Sequence, residues 1–335
     1  MLPSIVFIIC TEPGILEKQS LLLVESLRNF GGSLKDVPVY SFQPRRGKDL
    51  SKNTLKLFED LQVCHQKFLL NVKYPMYGVA NKPFACAYAE ETIDADILVF
   101  LDSDQCFFSS PNQLLLSPEY DVAVRPEDLN LIGSKGKNEK NEEYWSNLYR
   151  ICQTKYQIFV NTTVDNQKIR AYWNSGLVAV RSNRGIFTAW RNNFEKVMEL
   201  GIQPERGLFF VEQSVLSATI CSITDAILTL PMSYNYPLNL HWRIDRDRQI
   251  RNFDNLVSVH YHKIFREDYE KGLDKLNLVE TSTKYQWLYQ QLEKQNLSKN
   301  LLDRYITRSK KKLYQLIKYL RLNQTIEAIT KRPLP

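Results

Sequence analysis

The chain has 335 residues, 44% of them hydrophobic and 12% aromatic, values that exclude a disordered polypeptide and call for a sizeable core. No apolar run reaches the ~20 residues of a membrane-spanning helix, and the opening SIVFIIC lacks the basic flank and cleavage pattern of a signal peptide. The net charge of +7 belongs to the tail, since Leu297–Pro335 carries ten Lys or Arg against Asp303 and Glu327; the remaining body is near neutral, which argues against a nucleic-acid-binding surface.

Taken in chain order, SIVFIIC (4–10) reads as a first buried strand, and EKQSLLLVESLRNF (17–30) as a helix ended by Gly31-Gly32. VPVYSFQP is a second strand, followed by Arg45 and Arg46, which read as a basic turn in preference to a phosphate contact. Residues 81–92 form a helix feeding directly into DADILVFLD, and DVAVRP is a short strand. GLVAVRS is another, with a helix from about Asn183 to Leu200 behind it. VEQSVLSATI is a helix, AILTLP a strand, and NLVSVHYH the last clear strand. This alternation predicts an α/β domain with a largely parallel sheet over residues 1–265.

Two segments stand apart. Residues 130–168, with GSKGKNEKNEEYW, are polar and glycine-bearing without a strand period, and read as a long insertion that is either a functional loop or a variable one. Residues 266–335 read as a helical, basic extension. There Leu302, Tyr305, Ile306, Leu313, Leu316, Ile317 and Leu320 fall on one helical stripe, with Arg304, Arg308, Lys310, Lys311, Lys312 and Lys318 around it. That helix either packs its stripe on the domain or lies, through residues 299–321, on an anionic membrane surface. The six cysteines have no CxxC spacing and read as buried thiols of a reducing, cytoplasmic compartment.

The chemistry starts at ILVFLDSDQCFF (97–108), where an apolar strand ends in Asp102 and Asp104. In an extended chain these carboxylates point to one side while Ser103 faces away. At the carboxyl end of a strand in an open α/β sheet, such a pair suits a hard divalent cation. Asn174-Ser175-Gly176 is a second signal, because glycine lets backbone approach a ligand and the Asn amide can bind hydroxyls; a strand-entry turn is the competing reading. Lys82 opens a helix where an anion could bind, or is an ordinary surface lysine. Glu212 and Gln213 open another helix, where an acid can also serve only the helix dipole.

DADILVFLDSD resembles the metal-binding DxD segment of nucleotide-sugar-dependent glycosyltransferases with the GT-A fold, closest to the retaining group of glycogenin and the bacterial galactosyltransferases. YWNSGLVAV (172–180), VEQSVLSA (211–218), LPMSYNY (230–236) and SVHYHK (258–263) are similar to that group's further motifs, in the same order. The resemblance implies a mixed, mostly parallel sheet flanked by helices, and transfer of a sugar, with retention, from a UDP-linked donor to a glycan, lipid-linked or other acceptor. It implies Mn²⁺ or Mg²⁺ held by Asp104, by Asp102 (on the metal or the ribose) and by His260. His262 shares a strand face with His260 and rivals it.

The resemblance further implies donor contacts from Thr11, with Glu12 beside it as the lesser candidate, and from Lys82, Ser103 and Lys263, the last standing where the family has glycine. Asn174, Glu212 and Gln213 would face the transferred sugar, although the family has Asp where Glu212 stands. Trp173 and the aromatic segments 144–156 and 234–242 would supply stacking surfaces, and the 130–168 insertion would meet the acceptor. Two readings compete. A haloacid-dehalogenase-type phosphatase also uses an apolar strand followed by DxD, but nearer its N-terminus and with a later paired-acid segment that is missing here. An inactive sugar-nucleotide-binding protein would keep the motifs without turnover.

Overall fold

The computed structural model describes residues 3–264 and 282–295. Its strands and helices in chain order are β1 (Ile5–Cys10), α1 (Ile15–Phe30), β2 (Val39–Gln43), α2 (Lys52–Asp60), β3 (Val63–Lys67), α3 (Asn81–Thr92), β4 (Ile97–Leu101), β5 (Gln105–Phe107), β6 (Val122–Pro126) and α4 (Glu142–Cys152). There follow β7 (Phe159–Asn161), β8 (Lys168–Arg170), β9 (Trp173–Arg181), α5 (Ile186–Glu199), α6 (Val211–Ile223), β10 (Ile227–Thr229), β11 (Tyr236–Pro237), β12 (Ser258–His260) and α7 (Thr283–Gln295).

The central sheet has seven strands in the order β10-β6-β9-β4-β1-β2-β3. All its neighbours pair in parallel except those of β9, which runs antiparallel between β4 and β6. Both faces are covered, which is why β4 reads as an unbroken apolar run rather than an alternating one. Ile8, Leu98, Phe100 and Val178 pack under α3, α5 and α6, while Phe7, Ile9, Val99 and Leu101 pack against α1. The architecture is the mixed, mostly parallel sheet with flanking helices that the sequence implied.

Local sequence fixes several boundaries. Glu17 accepts the Gly14 N–H at 2.9 Å at the start of α1, and its other oxygen accepts the Ser51 N–H at 2.9 Å, tying the entry of α2 to the same carboxylate. A small second sheet, β11-β12-β5, sits at the end of the main one. There β12 pairs antiparallel with β5, setting His260 opposite Gln105. Leu288 and Leu292 of α7 are fully buried with Phe253, Val259 and Tyr261, so this part of the expected extension packs on the body. The tail stripe at 302–320 lies outside the described residues, and among the described residues no helix is long and apolar enough to cross a membrane.

The expectation of an irregular 130–168 insertion needs correcting. It contains α4 and β7, and ends where β8 begins, the two strands forming a hairpin. Tyr144, Trp145, Leu148 and Cys152 recur at helical spacing and are buried, a period masked in sequence by the charged residues before it. Trp145 is fully buried and its indole N–H donates to Ile132 O at 2.7 Å. Trp145→Ala is therefore expected to cost about 3–5 kcal/mol in a denaturant melt, against under ~0.5 kcal/mol if the segment were a loose surface loop.

Candidate active site

Every candidate site element converges on the carboxyl edge of the parallel strands. β4 ends at Leu101, and because β9 is antiparallel to it, Leu101 pairs with Leu177; Asn174, Ser175 and Gly176 therefore lie beside Asp102. β6 ends at the same edge, with Pro126 opposite Trp173. The chain then leaves β4 in a tight turn rather than in the extended conformation expected, since the Gln105 N–H reaches back to Asp102 O at 3.2 Å. Both carboxylates face the same hollow through that turn, and Ser103 lines it too instead of pointing away.

Strand β12 brings the histidines. His260 Nε2 lies 3.1 Å from Asp104 Oδ1 and 4.0 Å from Asp102 Oδ2, and His262 Nδ1 lies 3.8 Å from Asp104 Oδ2. The imidazoles stack with centroids 3.8 Å apart, and His262 adopts φ 48°, a left-handed turn that folds its ring back over that of His260. One ligand atom from each of Asp104, His260 and His262 lies within 4.8 Å of the others. His262 thus lies at the cluster together with His260. Burial pulls His260 down, but the charge and hydrogen bond of Asp104, with Asp102 beyond, hold it above the usual imidazole range.

Asp102 has a different partner. Lys82 Nζ, at the start of α3, donates to Asp102 Oδ2 at 2.9 Å and to Ser175 Oγ at 3.1 Å. Lys82 is thus an inward cation rather than a surface lysine. Burial would lower it, but Asp102 and Glu212 outweigh that and keep it charged. Gly176 sits between these groups. A Cβ there would lie 2.9 Å from Asn174 Oδ1, 3.0 Å from Asp102 Oδ2 and 3.1 Å from His260 Cε1, so the close approach demands glycine.

The amide cluster is equally tight. Asn174 Oδ1 accepts the Gly176 N–H and Asn235 Nδ2, both at 2.9 Å, while its Nδ2 donates to Glu127 Oε2 at 3.0 Å. Gln213 Oε1 accepts the Ser175 N–H at 3.2 Å, and its Nε2 donates to Glu127 Oε2 at 2.5 Å. Glu212 is almost wholly buried, 3.3 Å from Ser175 Oγ, and burial pushes its carboxyl up to about 7 in spite of Lys82. Glu127 belongs to this cluster and was missed by sequence reasoning; its only signal was an acid directly after a strand of the parallel sheet.

Apart from Gly176 and Asn235, these residues line a cavity of about 620 Å³, within the range of small-ligand sites. A larger hollow of about 870 Å³, lined by Ser4, Tyr40 and Tyr88 among others, opens at the other end of the strands and contains none of the candidate residues. Lys263 is exposed at the cavity wall. Thr11 does not reach it. It is fully buried, and its hydroxyl is spent on Ser20 Oγ at 2.8 Å and Ser41 Oγ at 2.9 Å. Glu12 lines the cavity instead, held by Arg45 Nε at 2.6 Å and Asn81 Nδ2 at 3.0 Å. Arg45 is thereby a site residue, not a free basic turn. Trp173 is buried in the core and offers no face for stacking; Phe209, 67% exposed, does.

No curated protein matches the sequence. Among solved structures, the chain is similar to the apo WbbM bifunctional glycosyltransferase at 12% identity and a TM-score of 0.46, over 86% of this chain and 52% of that one. It thus spans about half of WbbM's length. Apo mouse xyloside xylosyltransferase 1 is similar at 10% identity and a TM-score of 0.45, over 77% of this chain and 98% of that one. The family model of the Rhodobacterales glycosyltransferase domain matches residues 7–223, a stretch running from β1 to the end of α6, and the chain belongs to that family.

Proposed function

We propose that the protein transfers a sugar, with retention, from a nucleotide diphosphate sugar, UDP-linked in the favoured case, to a carbohydrate or lipid-linked acceptor, and that a divalent metal assists. The observation that carries this reading is the union of one carboxylate and two imidazoles with an inward-facing, half-buried lysine in one cavity. That donor set fits Mn²⁺, which accepts mixed oxygen and nitrogen ligands. Asp104, His260 and His262 would hold it, with Asp102 beside them. When bound, the metal would neutralise charge growing on the departing diphosphate.

The protein's own groups divide the remaining work. Lys82, braced by Asp102 and Ser175, offers a fixed cation to the diphosphate. Lys263 adds a second cation at the exposed wall. Asn174 and Gln213, with their amides already oriented, hold sugar hydroxyls in place without further ordering cost. Glu12, with Arg45 and Asn81, lines the part of the cavity near β1, where the nucleoside would lie. The family match leaves the phosphatase reading without support.

The test is thermal stabilisation by uridine diphosphate with and without Mn²⁺. Saturation near 100 times Kd should add about 2.7 kcal/mol, and only when metal is present. Lys82→Met should weaken diphosphate binding roughly tenfold or more while keeping Mn²⁺ binding. A metal-independent shift, or none, would count against this account.

A further inference from the structure

Asn235 stands behind the cavity wall, within LPMSYNY and directly before β11. It is fully buried and does not itself line the cavity. Its backbone N–H donates to Ser258 Oγ on β12 at 2.8 Å, and its Nδ2 donates to Asn174 Oδ1 at 2.9 Å. The residue thus ties the strand that carries His260 to the amide of Asn174, which does line the cavity.

Hydrogen-bond directions around Asn174 leave one arrangement. The Gly176 N–H can only donate, so at 2.9 Å it fixes Oδ1 on its side of the Asn174 amide. Asn235 must then turn its own Nδ2 toward Asn174, because two amide oxygens would repel. A carbonyl oxygen has two lone pairs, and these two donors fill both. Asn174 Nδ2 spends one hydrogen on Glu127 Oε2 and keeps the other. Toward a ligand, Asn174 is therefore a donor with no acceptor to offer.

The arrangement has a cost. Asn235 Oδ1 is buried without a hydrogen-bond partner among the described residues. An orphaned carbonyl destabilises a fold, so stability alone does not account for the amide. The backbone offers a competing account, since Asn235 has φ 50°, a left-handed conformation that asparagine tolerates. Glycine would meet that need equally well and leave no orphan.

We infer that Asn235 is a positioning residue for the transferred sugar: it fills the second lone pair of Asn174 Oδ1 and so locks that amide as an N–H donor, to which the sugar must present an accepting oxygen. The inference rests on the sugar-transfer reading above and adds to it what the sugar must offer at this point.

Asn235→Gly separates the two accounts, because it removes the amide but keeps the N–H to Ser258 and suits the left-handed backbone. UDP-, GDP- and dTDP-linked hexoses are offered with Mn²⁺, and release of nucleoside diphosphate is followed. On any donor that the wild type turns over, Asn235→Gly should be slower by ~10-fold or more. Its affinity for the nucleoside diphosphate alone, which lacks the sugar, should stay within a few-fold of wild type, and its Tm should not fall. Asn235→Asp, of the same shape but facing Asn174 with oxygen, should be slow as well. Added to Asn174→Ala, Asn235→Gly should have no further effect, because it acts through that amide. Wild-type turnover by Asn235→Gly would leave only the backbone role and overturn the inference. So would an Asn235→Gly that fails to fold, an equal loss of diphosphate binding and turnover, or additive losses in the double variant. Failure of the wild type to turn over any donor would instead overturn the sugar-transfer reading, and the inference with it.

Discussion

Asp104→Ala is expected to abolish the response to Mn²⁺ and to cut sugar transfer by about 100-fold or more. Asp104 is the one acid of the three-residue cluster, and its two oxygens face His260 at 3.1 Å and His262 at 3.8 Å. Asp102 is the less free of the two acids, because its Oδ2 is held by Lys82 at 2.9 Å. Lewis-acid neutralisation of a leaving diphosphate is worth several kcal/mol, and each 1.4 kcal/mol is tenfold in rate. Even ~3 kcal/mol lost therefore exceeds 100-fold. Titration calorimetry with Mn²⁺, followed by initial rates at saturating metal, checks both halves. A variant that still binds Mn²⁺ as wild type does would remove Asp104 from the metal site.

Gly176→Ala is expected to be nearly as damaging, though it adds only a single uncharged methyl group. The new Cβ would press on Asn174, Asp102 and His260 at 2.9–3.1 Å. None of the three can retreat cheaply. Asp102 is tied to Lys82, Asn174 to Glu127 and Asn235, and His260 to Asp104. Strain of about 1–3 kcal/mol in stability is expected from such overpacking. A fall in kcat of ~100-fold should accompany it, since displacements near 1 Å at a reacting centre cost that much. A denaturant melt and steady-state kinetics on the same preparation measure the two effects. A fully active Gly176→Ala would mean that the crowded arrangement is not the one that reacts.

Much of the fold was legible because its signals are local. β4 is a pure apolar run, α3 matches the residues expected, and Gly31 stops α1. Less legible were elements whose faces are polar. The edge strand β3, VCHQK, is largely solvent-facing and carries little period, and α4 is hidden behind charges. The site depends on pairing between distant strands, which periodicity does not encode. That β9 runs antiparallel, and so sets Asn174 beside Asp102, follows from no residue near either. The three-residue pairing of β12 with β5 likewise brings His260 to Asp104. Here the resemblance of SVHYHK supplied what spacing could not. It also misled at Thr11, because whether a hydroxyl faces a cavity or its neighbours Ser20 and Ser41 is decided by packing.

Glu127 escaped notice for a related reason. An acid after a strand is common at turns, and only the meeting of β6, β9 and α6 at one edge turns it into the acceptor of two site amides. The 130–168 insertion gains a concrete part in this arrangement, since its hairpin supplies the backbone donors that fix Glu127 and Asp128.

The central claim is metal-assisted cleavage of a nucleotide sugar in the cavity of Asp104, His260 and Lys82. Release of nucleoside diphosphate from a panel of sugar nucleotides, with Mn²⁺ and then with chelator, tests it most directly. The account predicts turnover of at least one donor, UDP-linked in the favoured case, that stops on chelation and returns with Mn²⁺. Turnover indifferent to chelator, or none with any donor and no binding of any, would contradict it.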